Sequence, residues 1–137
     1  MSYLLDTNVL SELFKKSPNP KVKDWLQNAN QEALFVSVLT LGEIRKGVEK
    51  MAVGQRKTRL TQFLEKEMLD QFEDRILSVD KNVAETWGSL EAESKHLLPT
   101  IDALLAATAI THNLTLFTHN TKDFSFPQLK VLDPWVD

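Results

Sequence analysis

The chain alternates short apolar runs with stretches whose apolar residues return every third or fourth position, the pattern of strands followed by amphipathic helices. Tyr3 to Leu5 reads as a strand ending at Asp6, and Val9, Leu10 and Leu13 carry a helix beyond it. Asn19 and Pro20 supply an N-cap and a first-turn proline for a second helix, with Val22, Trp25 and Leu26 on its apolar face. Leu34 to Val38 is a buried-strand candidate, and Leu41, Ile44 and Val48 continue at helical spacing toward a break near Gly54. Leu60, Phe63, Leu64 and Leu69 mark a further helix. Ile76 to Val79 reads as a short strand or an extended connection, after which Asp80 caps a helix through Val83, Ala84, Trp87 and Leu90. Beyond Pro99, the segment Ala103 to Ile110 is too rich in alanine and leucine to face water and belongs at the centre. Leu114 to Phe117 and Leu129 to Leu132 are the last strands before Pro134. Strands separated by helices pair in parallel and are covered on both faces. The expectation is a three-layer α/β/α sandwich around a central, mainly parallel sheet, in a single domain spanning residues 1–137.

Composition removes several function classes. At 137 residues with 42% hydrophobic positions, the chain buries enough surface to fold without disulfide or metal staples. It has no cysteine, which excludes disulfide frameworks, thiolate zinc sites and cysteine nucleophiles. Four glycines form no phosphate-cradling loop, and Ser, His and Asp occur without a nucleophile-elbow pattern. The N-terminus lacks a basic leader, and no apolar run approaches the roughly 18 residues of a membrane span, so a cytoplasmic protein with no membrane attachment is expected. Sixteen Lys and Arg against 19 Asp and Glu give a net charge of −3, which argues against general coating of nucleic acid. Even so, Arg45, Lys46, Lys50, Arg56, Lys57 and Arg59 crowd into a stretch whose other charged residue is Glu49, either a solvated helix face or a local basic patch.

Ligands of open parallel sheets sit beyond the carboxyl ends of the strands, and acids stand at those junctions here. Asp6 follows the first strand, Glu43 begins the helix after the second, Asp102 opens the alanine-rich helix, and Asp123 follows strand Leu114 to Phe117. Each has a local explanation. Asp6 caps a helix, Glu43 stands three residues after Thr40 in capping-box spacing, Asp102 suits a helix macrodipole, and Asp123 suits a turn. The four together are not explained that way. Clustered carboxylates stay ionised near neutral pH only with a cation, and a hard ion such as Mg²⁺ or Mn²⁺ matches oxygen ligands. Such an ion activates water and neutralises charge on a phosphodiester, so metal-dependent phosphodiester hydrolysis is the chemistry suggested. Of the histidines, His112 suits a helix C-terminal cap, and His119 is either an exposed turn residue or a contact to substrate phosphate.

The segments LLDTNVLSEL, SVLTLGEIRKG and THNTKDF resemble those of PIN-domain ribonucleases, in particular toxins of the VapC and FitB type, over nearly the whole chain. The resemblance implies a PIN-like fold and a Mg²⁺- or Mn²⁺-dependent endoribonuclease from a type II toxin–antitoxin pair. It also implies a homodimer, restraint by a cognate antitoxin, and DNA contact only through that antitoxin. Asp6, Glu43 and Asp102 match the family's metal-binding acids, Thr7 and Asn8 complete the DTN segment, and Thr118 matches a small hydroxyl residue that would hold a water or a metal ligand. Many relatives carry an aspartate directly after that strand, where this chain has Asn120; the fourth acid is then Asp123, or the site runs on three acids plus Asn120. Arg45, Lys46 and Lys50 are the candidate RNA contacts, and transfer RNA is the candidate target. Phe63, Leu64 and Phe72 are expected to be incompletely covered, offering a dimer interface and a groove for an apolar antitoxin helix. The competing function is a non-catalytic PIN-fold binding module acting with a DNA-binding partner.

Overall fold

The computed structural model describes residues 1–94 and 98–136. Its strands are β1 (Tyr3–Leu5), β2 (Leu34–Ser37), β3 (Ile76–Leu77), β4 (Thr115–Phe117) and β5 (Val131–Leu132). They form one sheet in the order β3-β2-β1-β4-β5, and every pairing is parallel. The chain therefore builds outward from β1 to β3, then crosses to the other side of β1 for β4 and β5. That reversal lies between β1 and β4, the place where open parallel sheets form a ligand crevice.

Side chains alternate across this sheet as strand geometry requires. Leu5, Leu34, Val36 and Phe117 join one buried cluster, whereas Leu4 and Leu116 join a second on the opposite face. The first face is covered by α1 (Thr7–Glu12), α2 (Pro20–Asn28), α3 (Val38–Glu49), α4 (Gln55–Gln62) and α5 (Met68–Phe72). The second is covered by α6 (Lys81–Glu93) and α7 (Thr100–Thr111). The expected three layers are present, and α7 is central, with Ala103, Leu105, Ala106, Ala107 and Ala109 all buried. Asn113, at φ 54°, takes the left-handed conformation that ends a helix and turns the chain into β4. Asn19 accepts from the N–H groups of Lys21 and Val22, Asp80 accepts from that of Val83, and His112 occupies the C-cap of α7, as their positions suggest. No helix among the described residues is long and apolar enough to cross a membrane.

Two expectations fail. Phe63, Leu64 and Phe72 are buried within the monomer at 7%, 7% and 1% exposure, because a π-helical turn at Phe63–Glu67 joins α4 to α5 and rolls these residues onto the sheet. They give no support to an uncovered interface. The capping-box reading of Thr40 and Glu43 also fails, since α3 begins earlier. Ser37 is its N-cap, accepting from the Leu39 N–H at 3.0 Å, and Thr40 is fully buried inside the helix.

Candidate active site

Parallel pairing sets the site. Leu5 lies opposite Phe117, the Asp6 N–H donates to the Phe117 carbonyl at 3.0 Å, and the next residues on the two strands, Asp6 and Thr118, face each other across the crevice. The Thr118 hydroxyl donates to Asp6 Oδ2 at 2.8 Å while accepting from Asn8 Nδ2 at 3.3 Å and from the Asn120 N–H at 3.0 Å. With one donor and two acceptor positions used, that hydroxyl is saturated and its proton is committed to Asp6. The Thr7 N–H donates to Asp6 Oδ1 at 2.7 Å, so Asp6 does cap α1. Thr7 then reaches across to α3, where its hydroxyl donates to Glu43 Oε1 at 2.6 Å. DTN thus works as a unit: Asp6 is the acid, Thr7 ties it to Glu43, and Asn8 Oδ1 accepts from the His119 N–H at 3.3 Å.

These partners of Asp6 are all neutral, although the residue is 7% exposed. Burial pushes its carboxyl above the ordinary 3.8, against the lowering effect of the Thr118 and Thr7 hydrogen bonds, and the Glu43 charge adds to the rise. Asp102, in the first turn of α7 and half-buried, is pushed up to about 6, first by burial and then by the charges of Asp6, Glu43 and Asp123. All four acids therefore share one field. Among the described residues none of them forms an ion pair with a cation. Nor, among those residues, do any three acidic or imidazole groups already surround one point closely enough to grip an ion.

The chain is similar to known proteins over nearly its whole length. Residues 3–130 match the PIN domain family. The chain belongs to the PIN-domain family. Toxin FitB of Neisseria gonorrhoeae is 36% identical over 137 residues, covering 98% of this chain and 99% of FitB. The VapC ribonuclease Y4jK of Sinorhizobium fredii is 33% identical over 135 residues, covering 96% of each. The structure of FitAB bound to an IR36 DNA fragment contains a chain that superposes with a TM-score of 0.88 at 34% identity, covering 97% of this chain and 95% of that one.

Within this PIN domain the remaining candidates separate. Asp123 ends an exposed 3-10 turn at Thr121–Asp123 and acts on Asp102 only through its charge, while the exposed Asn120 engages the site through its backbone. Arg45 is drawn aside by Glu65 at 2.9 Å and Glu49 at 3.9 Å. Lys46 and Lys50 are exposed and, among the described residues, free of salt bridges. Arg56, in the sequence a member of the basic stretch only, borders a groove of about 190 Å³ that also touches Thr7, Glu43 and Gly47. Asp133 and Trp135 carry no candidate role in the sequence. Asp133, one residue beyond β5, is 7% exposed and places both carboxylate oxygens 3.2 Å from His119 Nδ1, and Trp135 stacks on that imidazole at 4.1 Å. Only a non-periodic DxW after the last strand signals them in the sequence.

Proposed function

We propose that this PIN-domain protein is a metal-dependent endoribonuclease, the toxin of a type II toxin–antitoxin pair, hydrolysing phosphodiester bonds of RNA. The observation that carries the reading is the uncompensated charge at the β1/β4 crevice: a buried Asp6 with neutral partners, beside an Asp102 raised by burial and by three neighbouring carboxylates. Oxygen donors of this kind fit a hard divalent ion, Mg²⁺ or Mn²⁺, with Asp6 the direct ligand and Glu43, Asp102 and Asp123 binding directly or through retained waters. A bound ion would supply an activated water and offset charge developing on the phosphate. The chain's own residues orient that chemistry: Thr118 and Thr7 aim the two Asp6 oxygens, and Thr7 keeps Glu43 against the same opening. Lys46, Lys50 and Arg56 would meet the RNA backbone outside the acids.

The names of the relatives, a toxin, a VapC ribonuclease and a FitAB complex on DNA, support the same assignment. A cognate antitoxin would restrain this chain and carry the DNA contact. Transfer RNA is the proposed target, and residues 1–137 are taken as one catalytic domain. A homodimer rests on the resemblance alone, since Phe63, Leu64 and Phe72, first expected at its interface, are internal. The test is cleavage of total RNA by purified protein in EDTA, Mg²⁺ or Mn²⁺, followed by sequencing of the new ends. Metal-restored cleavage confined to transfer RNA is expected; cleavage undiminished in EDTA would overturn the metal assignment.

A further inference from the structure

We infer that His119 reads a ribose 2′-hydroxyl of the bound strand and that Asp133 and Trp135 hold its ring for that contact, an inference that rests on the ribonuclease reading above. His119 directly follows Thr118, so its backbone lies about 3.8 Å along the chain from the residue that aims Asp6, and its own N–H is bound by Asn8. The ring is fixed from two sides. A carboxylate only accepts hydrogen bonds, so Nδ1, 3.2 Å from both Asp133 oxygens, carries a hydrogen. Asp133 is itself fixed, accepting from the Trp135 N–H at 2.9 Å, and the Trp135 ring stacks on the imidazole with an interplanar angle of 28°.

A tether for the C-terminal segment would be served by a covered ring. Here the His119 side chain is 52% exposed, on the rim where parallel sheets bind ligands. With Nδ1 committed, Nε2 is the ring nitrogen left for a ligand. A phosphate oxygen only accepts and would suit only the charged ring. A 2′-hydroxyl both donates and accepts, so it pairs with Nε2 whichever state the ring is in. It is also the group by which a protein tells RNA from DNA.

The test compares binding of a short mixed-sequence single-stranded RNA and the DNA of the same sequence, in EDTA, by fluorescence anisotropy. Wild-type protein should favour RNA by about three- to tenfold, the range of one hydrogen bond. His119→Ala should lose that preference through weaker RNA binding with DNA binding unchanged. His119→Gln, whose amide reaches toward the Nε2 position, should keep part of it. Asp133→Ala should lower the preference as well, because the ring is no longer aimed. A wild type indifferent to the sugar, or a His119→Ala protein that still prefers RNA, overturns the inference. Metal-dependent cleavage is read separately, so an RNA preference abolished by His119→Ala in a protein that never cleaves would refute the nuclease reading and leave this contact standing.

Discussion

Asp6 and Asp133 occupy equivalent places, each one residue past the end of a parallel strand on the same rim and each 7% exposed, yet they are solved differently. Asp133 has an imidazole against both oxygens and a backbone N–H on one of them. Asp6 has a hydroxyl, a backbone N–H and a distant amide, all neutral, and its neighbour Glu43 adds charge of the same sign. A buried carboxylate that lacks a countercharge raises its own pKa, whereas one with a partner is a fixed part of the structure. The first arrangement is costly for the fold alone and suits a cation; the second suits the orientation of a neighbour.

The sharpest way to break this contrast is Asp6→Asn. The amide keeps the shape while removing the direct ligand, so RNA cleavage should fall at least about a hundredfold, the scale of losing metal-supplied charge stabilisation. The apo protein should melt close to wild type, because removal of a buried charge without a partner offsets the acceptor that the amide takes from Thr7 or Thr118. Full cleavage by a folded Asp6→Asn protein ends the catalytic assignment.

The next effect is on stability against pH. Asp102 lies near 6 in the folded protein against an ordinary 3.8, and Asp6 is raised as well, so the fold binds these protons more tightly than the unfolded chain does. The Asp102 contribution is present in full below about 3.8 and is lost as pH rises through about 6, and the raised Asp6 acts in the same direction. Between pH 5 and 7.5 the melting temperature of the apo protein should therefore fall further for wild type than for Asp102→Asn. Mn²⁺ should raise it more at pH 7.5 than at pH 5. A thermal-shift series showing equal metal effects at the two pH values would separate Asp102 from the metal site.

The strand and helix order, the central α7 and the four caps at Asp6, Asn19, Asp80 and His112 were legible because each follows from periodicity or local backbone geometry. Asp6 stands where the first apolar run stops, a position the sequence marks, whereas Glu43 lies inside α3 and Asp102 in the first turn of α7, a helix that follows α6 and not a strand. What the pattern hid was lateral. Nothing local says that β1 pairs with β4, so the Thr118 to Asp6 bond and the Thr7 bridge to Glu43 follow only from sheet order. The capping-box spacing misled because Ser37 had already capped α3, and the burial of Phe63, Leu64 and Phe72 depended on a π turn that ordinary 3.6-residue spacing does not anticipate.

A smaller effect distinguishes the two candidates for the fourth position. Asp123 adds its charge to Asp102 from an exposed turn, and Asn120 contributes only its backbone. Asp123→Asn should raise the Mg²⁺ concentration needed for half-maximal cleavage by a factor of about three to ten, as an outer-sphere ligand would. Asn120→Ala should leave it unchanged. The reverse pattern in a Mg²⁺ titration would assign the site to Asn120.

The smallest expected change returns to the other carboxylate. Asp133→Asn removes the charge facing His119 while keeping an oxygen for the Trp135 N–H. The imidazole is half in water, so the pair is worth little more than an exposed ion pair, and the loss should be about 1 kcal/mol or less by urea unfolding. The sign of the change separates the two carboxylates. Asp133→Asn should lower apo stability slightly, where Asp6→Asn should preserve it, because one substitution removes a satisfied charge and the other an unsatisfied one. If both substitutions destabilise the apo protein by the same amount, the two carboxylates are equivalent structural groups and the crevice holds no charge in need of a cation.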